Sequence, residues 1–332
     1  MSQSPLVSII VIVYDMPRQA VNTLRSLTPV YQQGVNPDDY EVIVVENRSP
    51  RMLDADTVAA LPGRFRYVRR DEPGVSPAAA INVGAAVARG SWLGLMIDGA
   101  RMVTPGVVQH VLAATRITPD PLVVVPGYHL GEHEHQFHAR YGQTEASEQA
   151  LLDGIAWESN GYGLFTIACL SGANPRGVFH PFMESNCMFL PAEVFREIGQ
   201  ADERFDLPGG GALNLALYRK AALHPRTKLF VLPGEGSFHQ LHGGVTTSEV
   251  PDRDKLLGRI RQQLDDLLGH RFTAPTLQPT LLGTIGPEAL RHLQFSVEQG
   301  LSRYARLAAE GRDPHADDSL KQGLERPQRR AA

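Results

Sequence analysis

Three apolar runs, each ending abruptly at a polar cluster, constrain this chain more than any other feature. Val7-Ser8-Ile9-Ile10-Val11-Ile12-Val13 stops at Tyr14-Asp15, Tyr40-Glu41-Val42-Ile43-Val44-Val45 stops at Glu46-Asn47-Arg48-Ser49, and Trp92-Leu93-Gly94-Leu95-Met96-Ile97 stops at Asp98. Near-continuous apolar runs of strand length belong to parallel strands buried on both faces. Open α/β sheets bind ligands just beyond the carboxyl ends of such strands, so a pocket is expected where these three ends converge.

The intervening segments read as helices. Pro17 to Leu27 carries apolar residues at Ala20, Val21, Leu24 and Leu27 and ends before Pro29, and the Ala-rich stretch Ser76 to Ala88 ends before Arg89-Gly90. With further strands at 65–68, 122–125, 186–190 and 229–232, this alternation predicts right-handed crossovers and a mainly parallel three-layer sheet. Helices are expected over 104–114, 145–157, 191–199, 212–222, 252–268 and 287–309, and Gly209-Gly210-Gly211 is expected to be a flexible loop. From Glu310 onward the chain is polar and charged with few apolar anchors, so a frayed tail is expected over 311–332.

At 332 residues and 42% hydrophobic content the chain can bury the core of an enzyme. A net charge of −4 without a dominant basic run argues against nucleic acid as a partner. Cys169 and Cys187 lack C-x-x-C spacing and read as two isolated thiols in a reducing cytoplasm. The amino terminus has no basic region and the first apolar run has only strand length, so neither a signal peptide nor a transmembrane segment is expected. The location expected is the cytoplasm, with peripheral membrane association through a partner left open.

No glycine follows the first strand, which disfavours a dinucleotide-binding turn, and no G-x-x-x-x-G-K-[ST] run provides a phosphate cradle. Tyr14 and Asp15 at that strand exit can instead stack on a base and accept its N–H donors, or serve as a strand-end ring and a helix cap. His129, His133, His135 and His138 are mixed with Glu132, Glu134 and Gln136, and the polar stretch 131–141 reads as a solvated surface.

The order Val7 to Asp15, Glu46-Asn47-Arg48-Ser49, Ser76 to Gly90 and Met96-Ile97-Asp98 resembles the family 2 glycosyltransferases, over roughly residues 5–245. That resemblance implies a GT-A (Rossmann-like) α/β fold, three-layer αβα with a mainly parallel central sheet plus C-terminal helices. Residues 1–110 would be the nucleotide-sugar-binding half, 111–248 the acceptor-binding half and 249–310 a helical extension. It implies a hexosyltransferase-like enzyme of glycan biosynthesis that moves a sugar, with inversion, from a nucleotide-diphosphate sugar to a glycan, lipid-linked or small-molecule acceptor. Glu46 is then the candidate base-contacting acid with Asn47 beside it, and Asn82 the candidate for ribose or diphosphate. As plainer readings, Glu46 and Asn47 could form a turn, and Asn82 could satisfy a neighbouring loop.

Asp98 falls at the first acid of the family's Asp-x-Asp motif, which places hard oxygen ligands on a divalent ion bridging the phosphates. Here the run is Asp98-Gly99-Ala100, without the second acid. His239, after the last strand, resembles the family's late metal-binding histidine, with His242 three residues on, so Asp98, His239 and His242 are the candidate ligands for Mn²⁺ or Mg²⁺. Gly243-Gly244, Thr246 and Thr247 would add backbone and hydroxyl donors. Asp202-Glu203-Arg204-Phe205 matches part of a later family segment, but Gly211-Ala212 stands where its catalytic acid pair belongs. The base that takes the acceptor proton must then be Asp206 or Glu184, or activity is lost and the chain is a nucleotide-sugar or glycan-binding module. A sugar-phosphate nucleotidyltransferase is disfavoured because no Gly-rich, Arg- or Lys-bearing loop follows the first strand.

Overall fold

The computed structural model describes residues 5–312 except 73, 174–176, 180–181, 244–252, 276, 278 and the side chain of 303. In chain order, the first elements are β1 (Val7–Val13), α1 (Pro17–Arg25), β2 (Tyr40–Asn47), α2 (Ala55–Ala59), β3 (Phe65–Arg70), α3 (Ala78–Val87) and β4 (Trp92–Met96). They are followed by β5 (Arg101–Val103), α4 (Val107–Ile117), β6 (Pro121–Val124), β7 (Gly127–Leu130), α5 (Glu145–Ile155) and β8 (Ala168–Leu170). The remainder are β9 (Cys187–Pro191), α6 (Ala192–Glu197), α7 (Leu213–Ala222), β10 (Lys228–Val231), β11 (Ser237–His239), α8 (Arg253–Leu268), β12 (Thr280–Leu281) and α9 (Pro287–Ala309).

The three apolar runs are neighbours in one sheet of order β12-β10-β6-β9-β4-β1-β2-β3. Every residue of β1 and β2 is buried. Alternation sends their side chains to two different cores. Ile10, Ile12, Ile43 and Val45 join Ala78, Ala80 and Ile81 of α3 and residues of α6, α7 and α8 on one face. Ile9, Val11, Val13, Val42 and Val44 join Ala20 and Leu24 of α1 and Val107, Val108 and Val111 of α4 on the other. Burying each such side chain contributes roughly 1.5–3 kcal/mol, which is why these strands need no polar face. The result is the mainly parallel three-layer α/β sheet, with helices after it, that the sequence predicts.

One strand departs from parallel. β9 runs antiparallel between β4 and β6, with Met96 opposite Cys187. Its amino-terminal approach, residues 184–186, therefore arrives at the carboxyl edge where β1, β2 and β4 end.

A second sheet of order β5-β11-β7-β8 stands beside the first. Its strands have three or four residues each, packed on Tyr128, Leu130, Phe165 and Phe238. The expected surface loop 131–141 is corrected here. His129 lies on β7 and His135 on a short 3₁₀ turn over 135–137, and both are buried (5% and 0% exposed). His133 and His138 remain partly exposed. The polar neighbours that suggested solvation flank two rings turned inward. Cys169 and Cys187 are both free thiols.

Candidate active site

A cavity of about 790 Å³ opens at the carboxyl edge of the large sheet. Tyr14, Asp15, Asn47, Asp98, Glu184, His239 and His242 all line it. Gly209, Gly211, Asn214 and Leu215 add the loop before α7 and its first turn, and Arg253, Leu257, Ile260, Arg261 and Leu264 of α8 complete the wall. The helical extension is thus part of the cavity.

Asp98 leaves β4 at a turn that fixes its carboxylate. Its Oδ1 accepts the Ala100 amide at 3.1 Å. Gly99 is required there, because a Cβ would stand 2.5 Å from the Ile12 carbonyl oxygen. Ala100, where the second acid of the motif is absent, is completely buried in the apolar layer shared with Val103 and Val107.

The second sheet supplies the partners of Asp98. Its register sets His239 opposite Arg101 on one side and opposite His129 on the other. His239 Nε2 lies 2.8 Å from Asp98 Oδ2, His242 Nε2 lies 3.7 Å from Asp98 Oδ1, and the two Nε2 atoms are 3.1 Å apart. The loop carrying His242 is held by α1 and α5. Gln19 donates to the Leu241 carbonyl at 2.7 Å, Asn22 donates to Gln240 at 2.9 Å, and Leu241 N donates to the buried Glu148 carboxylate at 2.6 Å. Burial pushes Glu148 up to about 7 despite that bond and Arg18. Gly243 also lines the cavity; Gly244, Thr246 and Thr247 lie outside the described residues.

Burial alone would raise the Asp98 carboxyl, but the imidazoles of His239 and His242 outweigh it and hold it well below the usual range. Burial pulls His239 down to about 4 against the attraction of Asp98, so at neutral pH an ionised carboxylate faces a neutral ring. Two imidazole nitrogens and a carboxylate oxygen converging at the wall of an open cavity form a donor set that fits Mn²⁺ or Mg²⁺, Mn²⁺ the better of the two.

Across the same cavity Glu184 accepts a hydrogen bond from Asn214 Nδ2 at 2.8 Å. Burial pushes its carboxyl above the usual range, against the opposing pull of Arg101 and the Asn214 bond. The loop that brings Asn214 there contains Gly209, Gly210 and Gly211 at φ of 71°, 76° and 55°, a left-handed run that only glycine adopts freely.

Three of the candidate side chains are not brought to the cavity. Glu46 is fully buried, accepting from Leu53 N at 3.2 and 3.1 Å and from the Tyr67 hydroxyl. The strand period of two explains this: Glu46 joins the face of Leu53 and Tyr67, while Asn47, one residue on, reaches the opposite face. There Asn47 donates to the carbonyls of Gly74 and Ser76 at 3.0 and 3.1 Å and accepts from Arg70 at 2.7 Å. Asn82 binds the chain at 201–203, donating to the Ala201 carbonyl at 2.9 Å and Glu203 Oε1 at 2.8 Å. Asp206 is exposed and accepts from Gln263 of α8 at 2.8 Å. Asp15 takes φ 54° and is clipped by Arg51, whose Nε lies 2.9 Å from Oδ1.

Arg101 is a cavity residue that motif reading passes over. It is 11% exposed, with Nε 3.7 Å from Asp98 Oδ2. Its only sequence signal is a cation three residues after Asp98.

Residues 8–161 match the family model described as glycosyl transferase family 2. Over that stretch, just under half of the chain, the sequence is similar to the family 2 glycosyltransferases. A search of curated proteins returned no match. Among solved structures, S. aureus TarS 1-349 in complex with UDP-GlcNAc aligns at 12% identity and TM-score 0.50, covering 78% of this chain and 66% of that one. The same protein in complex with UDP aligns at 10% identity and TM-score 0.49, covering 78% of this chain and 72% of that one. At such identity the first likeness speaks for the glycosyltransferase fold alone. No helix among the described residues is long and apolar enough to cross a membrane.

Proposed function

We propose that this chain transfers a sugar from a nucleoside-diphosphate sugar to an acceptor hydroxyl, with inversion and with a divalent ion held by Asp98, His239 and His242. The observation that carries this reading is that Asp98, His239 and His242, whose donor atoms lie close enough together to hold a cation, share the wall of one cavity with the partly buried Glu184. Tyr14, Asp15 and Asn47 line the donor side, within residues 1–110, and 111–248 together with α8 shape the acceptor side.

Glu184 accepts the proton of the acceptor hydroxyl as that oxygen bonds to the anomeric carbon. The bond from this carbon to the diphosphate breaks on the opposite face, and its electron pair leaves with the nucleoside diphosphate. Arg101 places positive charge beside Asp98, where negative charge accumulates on the leaving group. When bound, Mn²⁺ or Mg²⁺ would neutralise further charge there.

UDP-GlcNAc, the sugar nucleotide bound in the TarS complex, is the first donor to test, beside other UDP-, GDP- and TDP-sugars. The chain is incubated with each donor in Mn²⁺ or EDTA, and nucleoside diphosphate release and calorimetric binding are read in parallel. Metal-stimulated release that is abolished by Asp98→Ala in a folded protein is the expected result. Saturable binding without release from any donor would assign a binding module instead, and absence of donor binding overturns the proposal.

A further inference from the structure

The inward-turned histidines lie directly behind the donor set. His135 comes from the 3₁₀ turn after β7 and is fully buried, with Nδ1 2.8 Å from Nδ1 of His239 and Nε2 2.9 Å from the Leu130 carbonyl oxygen. A carbonyl only accepts, so His135 Nε2 carries the hydrogen of that bond. Glu148 Oε2, 3.6 Å from the same nitrogen, favours the proton there as well. In a neutral ring His135 Nδ1 is then a bare acceptor, and the hydrogen between the two rings belongs to His239 Nδ1.

The consequence passes through the second ring. With its hydrogen on Nδ1, neutral His239 has a lone pair on Nε2, and that lone pair faces Asp98 Oδ2 at 2.8 Å and His242 Nε2 at 3.1 Å. In the metal-free chain His242 Nε2–H can donate to that lone pair, and a cation held by the three atoms would take the place of that hydrogen. Without His135, the simplest arrangement of a neutral His239 is the reverse: Nε2–H donating to Asp98, which removes the nitrogen as a ligand. The ring is also held from behind, since the His135 backbone amide meets His129 Nδ1 at 3.5 Å and His129 packs edge-on to His135 with centroids 4.7 Å apart.

We infer that His135 is a positioning residue that locks His239 in the tautomer protonated on Nδ1, so that Nε2 is presented as a metal ligand beside Asp98 and His242. This rests on reading those three residues as the divalent-cation site. Outer partners of this kind orient the ligand imidazole, and losing one costs about 10–100-fold in metal affinity.

The test uses the full chain and Mn²⁺ alone, with binding read by calorimetry and by the electron paramagnetic resonance of free Mn²⁺, and with circular dichroism and thermal unfolding verifying the fold. His135→Leu removes the acceptor; His135→Asn restores one through Oδ1 near the position of Nδ1. The expected result is one ion per wild-type chain, about 10–100-fold weaker binding in His135→Leu, and recovery in His135→Asn to within about threefold of wild type. Long-range nitrogen–proton correlation spectra of the metal-free protein read the tautomer directly: Nδ1–H on His239 in wild type and His135→Asn, Nε2–H in His135→Leu. Equal Mn²⁺ affinity in wild type and a folded His135→Leu overturns the inference while leaving the cation site standing. A stoichiometry of two ions also overturns it, because the cluster of His129, His135 and His239 would then be ligating for itself. If wild type takes no Mn²⁺ the cation-site reading fails, and the spectra still decide the tautomer, Nε2–H on wild-type His239 refuting the lock. Should His135→Leu not fold, the wild-type spectrum decides alone, Nδ1–H on His239 supporting the lock and Nε2–H refuting it.

Discussion

Replacing Glu184 by Gln removes one proton acceptor and changes little else. The side chain keeps its volume, and Gln Oε1 can accept the Asn214 amide that the carboxylate accepts at 2.8 Å. Because burial raises the wild-type carboxyl, the variant loses a charged form that the fold does not favour, so stability should hold or rise slightly. Catalysis should not hold. A positioned general base contributes about 10²–10⁴-fold, or roughly 3–5 kcal/mol of transition-state stabilisation, so kcat should fall by that factor.

Donor affinity should stay within about twofold, since a residue acting only in the transition state leaves ground-state binding intact. The pH profile separates a base from a merely structural carboxylate. Glu184 must be ionised to take a proton, so wild-type kcat/KM should rise with pH through an acidic limb placed above the ordinary carboxylate value of about 4.3. The variant should lose that limb. Steady-state kinetics from pH 4 to 9, once a donor is identified, give both readouts. A kcat within about fivefold of wild type, or an unchanged acidic limb, would refute the assignment of Glu184 as the base.

Two further outcomes test the rest of the site. Ala100→Asp, which restores the family's second acid in sequence, should weaken the protein by about 3–5 kcal/mol in urea unfolding without tightening Mn²⁺ binding, because the new carboxylate enters the apolar layer with Val103 and Val107 uncompensated; normal stability with tighter metal binding would show that position 100 faces the cavity. Acid should also destabilise the metal-free chain through His239. The folded ring, at about 4 against 6.5, resists a proton that the unfolded chain accepts, so stability is complete above about pH 6.5 and is lost as pH falls toward 4, by roughly 3 kcal/mol from this ring alone. His129 and His135, both depressed first of all by burial, add to the same slope. Urea unfolding in EDTA at pH 8, 6 and 5 measures it, and a flat profile would contradict a buried neutral His239.

What the sequence discloses about this molecule depends on the distance over which each feature is decided. The large sheet is legible because β1, β2 and β4 are long enough, and buried evenly enough on both faces, for their apolar runs to stand out locally. The second sheet is not legible, since strands as short as Ser237–His239 carry no periodicity and are held by pairing alone. The cavity inherits both properties. Asp98 and Tyr14 follow from strand ends, but whether Glu46 or Asn47 faces the cavity turns on a single residue of register, which a motif match does not resolve. Glu184 reaches the cavity because β9 is antiparallel, an orientation that its own residues do not state. The histidines illustrate the point most fully. Averaged with Glu132, Glu134 and Gln136 they read as surface, yet His135 meets His239 across 104 residues of chain because β7 and β11 lie side by side. The types of residue that would make a cation site are written in the sequence; which nitrogen of His239 is free to bind is written only in the pairing of two short strands.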